Sequence, residues 1–433
     1  MFSPPPLNEV DNSQINGKID NSDTAIKIIW IGMFLKLTFI NQLYMDKIFK
    51  SICVIIVVWN QDIVGDFVSK DKLVYIDYFR AVAIIFIVLG HSMAWGQGYL
   101  RNFNRQFFQG WTFAFVFIAG FLFQYLSYKF DYKTYLKKKF TNVIMPYLVI
   151  MTPVAFILAF TLSNKQHAFY GYSAPLRLVS SYIGGYIIQS PVWFVGMISV
   201  IFLLAPTILF FKNNKKIWYV LLCASFIYSV CIKRPPYATV IDQGWFALII
   251  SVFVLYLKRA AYFLFAYLIG MEFSTIFEKY YVSIKNYSTQ ILFVLMHVWV
   301  IISTIFIIHL KDLLGYQTLP KLLSTCLALL LLIKFEGKIK ESAFWDKSLK
   351  FIANYSFGIF FIHKFFINVI RKHSIYDLPI SGYVDVKSNT FQSFAISVGI
   401  FCVAFFGSII VLYVIKKLLN KCGIENTRKF IGV

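Results

Sequence analysis

Residues 73–95, LVYIDYFRAVAIIFIVLGHSMAW, are apolar enough to cross a membrane, yet they carry Asp77, Arg80 and His91. An Arg, Lys or Asp near the centre of a membrane helix costs at least ~2.5–3.5 kcal/mol, so such groups on one span constrain the fold strongly. In an α-helix the step from Arg80 to His91 is close to three turns, with a rise of about 16.5 Å and an angular offset of about 20°. Asp77 precedes Arg80 by one turn, the spacing at which opposite charges meet. All three therefore lie on nearly one face, which must look into protein or water rather than lipid. Two readings of that face stand side by side: a buried ion pair with a hydrogen-bonded core histidine, or a functional site.

The rest of the chain supplies a membrane setting. Soluble domains rarely exceed about 50% apolar residues, whereas this chain of 433 residues is 59% hydrophobic and 14% charged. Long apolar runs recur, which indicates an all-α, polytopic integral membrane helix bundle and excludes a β-barrel, whose strands alternate over ~10 residues. The net charge of +22 comes from short Lys and Arg clusters between apolar runs, the pattern of cytoplasmic loops rather than of a nucleic-acid-binding surface. The six cysteines are scattered without a CxxC pair, so no metal site or disulfide framework is expected.

Three regions follow. Residues 1–70 are an N-terminal extension, disordered in composition over 1–24 and then weakly apolar. Residues 71–420 form the membrane domain, and 421–433 a short basic cytoplasmic tail. About ten core transmembrane helices are expected, at 73–95, 108–128, 143–162, 192–211, 216–232, 245–277, 290–310, 319–335, 352–370 and 391–415. Pro146 can open the third span, since a first turn tolerates proline. The sixth contains Lys258 and Arg259, costly at membrane depth, and is expected as a re-entrant 245–257 followed by a span near 260–277. With Lys137, Lys138 and Lys139 in the cytoplasm, a single crossing of 245–277 also puts the basic segments 212–216, 334–350 and 416–429 inside; two crossings would place the last two outside. Arg80 then lies in the inner half of the first span and His91 in the outer half. Trp95, Trp111 and Trp193 are expected as interfacial anchors.

These residues also carry a family resemblance. YIDYFRAVAIIFIVLGH resembles the opening of the acyltransferase 3 family of membrane O-acyltransferases: an Asp, an Arg, ten mostly apolar residues and a His. FVFIAGFLF, the basic linker YLKKKFTNVIMPYL, PVWFVGMISVIFLLAP, YFLFAYLIGMEFS and NYSFGIFFIHKFF resemble later family segments in the same order, over roughly residues 71–420. Within the family the chain is similar to the branch of enterobacterial-common-antigen acetylases, fucose acetylases and intercellular-adhesin modifying proteins. One departure is local. Where many members have Arg-x-x-Arg in the basic loop, this chain has Lys138, Lys139 and then Asn142, which bind phosphate as point charges without the bidentate fork of arginine.

The resemblance implies a multi-pass protein of a bacterial cytoplasmic membrane. It implies transfer of an acyl group, usually acetyl, from cytoplasmic acyl-CoA to a hydroxyl of a cell-surface polysaccharide or lipid-linked sugar. Acyl-CoA is then a co-substrate, no cofactor is bound, and the partners are donor, glycan and membrane lipids, with no nucleic acid. A sugar hydroxyl is a poor nucleophile at neutral pH, and histidine can act as base or acyl carrier. His91 takes that role, with Arg80, oriented by Asp77, stabilising donor phosphate or the oxyanion. His363, Ser356 and Asn354 are further candidates, His363 being equally well read as a core histidine bonded across the bundle. Lys138 and Lys139 are first topology determinants and second candidates for donor phosphate. His297 and Glu272 read as structural or water-facing groups, and His167, His309 and His373 as solvated. The rival class is a secondary transporter or a polysaccharide-assembly or flippase protein without acyl-CoA chemistry, since intramembrane Arg, Asp and His also mark solute pathways. Against transport, the chain shows no inverted repeat.

Overall fold

A computed structural model describes residues 73–93, 107–161, 173–183, 193–232, 245–308, 318–377 and 390–433. The N-terminal extension 1–70, Trp95, His167 and His309 lie outside the described residues, as does the side chain of His373. The described residues form helices, with no strand among them. In chain order these are α1 (Val74–Ser92), α2 (Thr112–Tyr125), α3 (Tyr132–Lys139), α4 (Met145–Thr161), α5 (Ala174–Ile183), α6 (Trp193–Leu203), α7 (Ala205–Asn213), α8 (Lys215–Cys231), α9 (Trp245–Asn286), α10 (Ser288–Ile308), α11 (Thr318–Glu341), α12 (Ala343–Asp377), α13 (Thr390–Lys421) and α14 (Arg428–Ile431).

Among the described residues five helices, α1, α9, α10, α11 and α13, are long and apolar enough to cross a bilayer, and α6 with α7, bent by 49°, adds a sixth if the pair is one broken span. The outer surface is that of a protein solvated by lipid: Phe246 is 73% exposed, Val220 68% and Ile410 62%, a density of open apolar side chains that water would not tolerate. The polar and charged groups of α1 turn inward instead. The chain is a multi-pass membrane protein.

The bundle is built around α1. Helix α2 runs antiparallel to it, with Phe86 stacked on Trp111 at a ring separation of 4.4 Å and Phe86 meeting Phe108 at 6.3 Å. Helix α12 runs parallel to α1, because its contacts advance together along both chains: Tyr78 with Asp346, Arg80 with Ala353 and Ser356, His91 with His363. Helix α9 runs parallel to α2, with Phe117 on Phe273 and Phe121 on Phe277. Gly120 and Gly270 make this second contact possible. A Cβ on Gly120 would strike the Tyr267 carbonyl, and one on Gly270 the Phe117 carbonyl. Small residues at such crossings let membrane helices approach backbone to backbone.

Two local features differ from the sequence expectation. Helix α9 is continuous through Lys258 and Arg259, and its non-helical residue is Tyr280 (φ −120°, ψ 21°) rather than a break at the cations. Arg259 is buried with its guanidinium 4.6 Å from the centre of the Trp193 ring, and a desolvated cation over an indole gains about 2 kcal/mol or more. Trp193, only 4% exposed, is thus an internal partner rather than an interfacial anchor, and Trp111 is buried too. The second feature precedes α4. Residues Phe140–Ile144 form a π-helical turn, and Pro146 sits in the first turn of α4, where its missing N–H cannot continue an α-helical ladder backward.

Candidate active site

The N-terminal half of α1 holds Arg80 in a ring of oxygen acceptors. Its Nη1 approaches Asp77 Oδ1 at 3.4 Å, and its Nη2 donates to the Ala353 carbonyl at 3.0 Å and to Ser356 Oγ at 3.1 Å. Ser356 in turn donates to Ala353 O at 2.7 Å. The i,i+3 spacing of Asp77 and Arg80 therefore produces the contact expected of it, and α12 supplies the rest. Two residues before Arg80, Tyr78 donates to Asp346 at 2.5 Å, and Asp346 also pairs with Lys350 at 2.7 Å. These contacts pin α12 beside α1 in one register.

That register brings His91 to His363. Nδ1 of His91 lies 2.9 Å from Nε2 of His363, with the rings nearly parallel at 19°. His363 is fully buried, and its Nδ1 lies 2.9 Å from the Ile359 carbonyl one turn earlier. The acceptors assign the tautomers. A carbonyl accepts only, so His363 donates from Nδ1 and its neutral Nε2 accepts. His91 then donates from Nδ1, which leaves its Nε2 the deprotonated, basic nitrogen.

A cavity of about 520 Å³ opens beside Arg80 and Ser356. Among the described residues, five cationic side chains line it, Arg80, Lys129, Lys138, Lys139 and Arg428, against one carboxylate, Asp131. Asp131 has a structural duty as the N-cap of α3, accepting from the Thr134 amide at 2.8 Å, and hydrogen bonding by the Thr134 side chain, with that amide, holds its carboxyl below the usual range. Lys139 lies 4.6 Å from the Phe202 ring centre and 5.1 Å from that of Tyr135. Burial there, reinforced by Arg428, pushes its ammonium down to about 8. The other wall is apolar and includes Phe115, Ile118 and Phe194. Phe115 and Phe194 both touch Phe360, which in turn touches His363, so an aromatic layer separates the cavity from the histidine pair.

Arg80, Asp77 and Ser356 thus form one cluster, His91 and His363 a second, and Lys138 and Lys139 share the cavity with the first. Asn354 stands on an exposed face of α12 and does not line the cavity. His297 bonds the Phe293 carbonyl on its own helix at 2.7 Å. Glu272 accepts from Trp218 Nε1 at 2.8 Å and pairs with Lys212 at 3.3 Å. Among the described residues no cluster of three or more metal-ligating side chains occurs. Sequence reasoning missed Arg428 and Lys129, which read as loop charges because nothing local says that their loops meet.

Comparison with known proteins agrees with this geometry at the level of the family. No curated protein and no solved structure matches the chain. A family model described as an acyltransferase domain matches residues 73–415, from the start of α1 almost to the end of α13, and the chain belongs to the acyltransferase 3 family.

Proposed function

We propose that the protein is a membrane O-acyltransferase that moves an acetyl group from cytoplasmic acetyl-CoA to a hydroxyl of a cell-surface polysaccharide or glycolipid. The observation that carries this reading is the His91–His363 pair, which leaves a basic Nε2 on His91. That nitrogen takes the proton of the sugar hydroxyl. The oxygen adds to the thioester carbonyl, the carbon–sulfur bond breaks, and the thiolate leaves with the proton. The developing imidazolium keeps its Nδ1–H bonded to His363, so the ring does not turn away as charge forms.

The separation along α1 favours one of the two roles open to Arg80. A helical rise of about 16.5 Å between Arg80 and His91 is too long for both to serve one carbonyl. Arg80 sits in the cationic cavity, so phosphate of the donor suits it better than the oxyanion. For the donor's thioester to reach the histidines, the aromatic layer of Phe115, Phe194 and Phe360 has to part. The test is transfer of label from radiolabelled acetyl-CoA to glycan in membranes carrying the protein. His91→Ala is expected to leave the protein folded and to remove a base worth about 10²–10⁴ in rate; undiminished labelling of glycan by that variant would refute the assignment.

A further inference from the structure

The segment after α13 is built into the wall of the cationic cavity. Within this segment, α14 (Arg428–Ile431) packs on α4 and on the π-helical turn before it. Ile431 and Val433 are buried, Thr427 Oγ1 donates to the Val433 carbonyl at 2.6 Å, and Gly432 adopts a left-handed backbone (φ 71°). The seat for this segment is on α12. A Cβ on Gly358 would stand 2.9 Å from the Ile431 carbonyl and 2.8 Å from the Leu412 side chain, so the notch exists only because residue 358 has no side chain. A Cβ on Gly432 would likewise lie 2.8 Å from the ring of Phe357, itself a cavity residue. The segment thereby holds Arg428 at the cavity with Lys138, Lys139 and Arg80.

Charge makes this arrangement informative. Seven residues folded against the bundle bring one more cation to a site that already holds four, and the cavity carries one carboxylate, which is committed to capping α3. Arg80 is already paired with Asp77, and crowding the other four cations costs stability unless an anion of comparable charge joins them. A phosphomonoester alone supplies about −1.5 to −2, so a ligand bearing more than one phosphate group fits the cavity best.

We propose that residues 427–433 complete the donor site, and that Arg428 is a binding residue for the phosphates of the donor nucleotide, delivered by the Gly358 notch. The inference rests on the reading of the donor as an acyl-CoA. It says that the segment read as a basic tail is part of the site, and that Arg428 acts on donor affinity rather than on the chemical step.

The test titrates CoA and 3′-dephospho-CoA into purified protein held in phosphatidylcholine nanodiscs, which offer no anionic lipid headgroup to compete. Arg428→Gln is an exposed change that leaves the fold intact. It is expected to weaken CoA about tenfold or more, as loss of a charge-assisted bond does, and to flatten the salt dependence of binding; Arg428→Lys recovers part of the loss. In turnover it raises KM and leaves kcat in place. A loss seen equally with both ligands assigns Arg428 to the diphosphate, and a loss confined to CoA assigns it to the 3′-phosphate; either supports the proposal. Gly358→Val, which fills the notch, is expected to weaken CoA in the same way without altering the helical spectrum. If the wild type binds CoA and Arg428→Gln binds it as tightly, the segment is only structural and this inference falls while the donor reading stands. If the wild type binds no CoA, both fall.

Discussion

At the scale of residues, the histidine pair offers the sharpest experiment. His363 is fully buried and acts through its contact with His91, so it is a positioning residue. Its work is to accept one hydrogen bond and so fix both the tautomer and the plane of the His91 ring. His363→Ala removes that acceptor and is expected to lower kcat by about tenfold to a hundredfold, the usual cost of losing a partner behind a functional histidine, with donor KM unchanged. His363→Gln presents a carbonyl oxygen near the lost nitrogen and is expected to recover much of the rate. Measuring kcat and KM for both variants separates positioning from packing, because a purely structural histidine would show no preference for Gln over a small apolar residue. This residue pair also marks how far the sequence could be read. Arg80, Asp77 and His91 are legible as one face because helical periodicity is local. That His363 would be the acceptor depends on two helices 272 positions apart in sequence running parallel in one register, which no local pattern encodes.

At the scale of elements, the legible parts are those that hydropathy and charge determine. Helices occupy all ten places where spans were expected, and Pro146 opens α4 as its ring chemistry requires. Lys258 and Arg259 mislead at this level because two adjacent cations imply a break only if both face lipid. Only Lys258 is exposed, while Arg259 turns inward onto Trp193, so α9 needs no break there. A tryptophan taken for an interface anchor was the missing partner. The basic helix α3 and its π turn were visible as a cationic linker, yet their role at the cavity depends on Tyr135 and Phe202 closing over Lys139. That closure makes the element sensitive to pH. Lys139 is charged below about 8 and loses its proton as pH rises through that value, so a donor phosphate it contacts is held less well on the alkaline side. The KM for donor is expected to rise as pH passes upward through 8 in the wild type. Lys139→Arg, which keeps its charge throughout, is expected to remove that rise while other alkaline effects persist. Identical KM profiles for the two proteins would show that Lys139 does not face the donor.

At the scale of the whole molecule, the directions of the helices connect charge to chemistry. Helices α1 and α12 run parallel, as do α2 and α9, and both relations follow if α9 crosses once, the crossing that would put the basic loops together on one side. Under ten alternating spans the cavity, with Lys138, Lys139 and Arg428, opens on the side of the basic loops, and His91 lies about 16.5 Å further along α1 towards the other face. Donor and acceptor would then approach from opposite sides and meet at the histidine pair, with the aromatic layer of Phe115, Phe194 and Phe360 between the cavity and that pair. Sidedness is therefore a property that the assembled bundle predicts and that no single residue does. Acetyl-CoA does not cross a bilayer unaided, being polar and multiply charged. Supplied to sealed inside-out membrane vesicles, radiolabelled acetyl-CoA is expected to label glycan enclosed in the lumen. Supplied to sealed right-side-out vesicles it is expected to label nothing until the membrane is permeabilised. Labelling in intact right-side-out vesicles would place the cationic cavity on the outer face and overturn both the orientation and the route along α1.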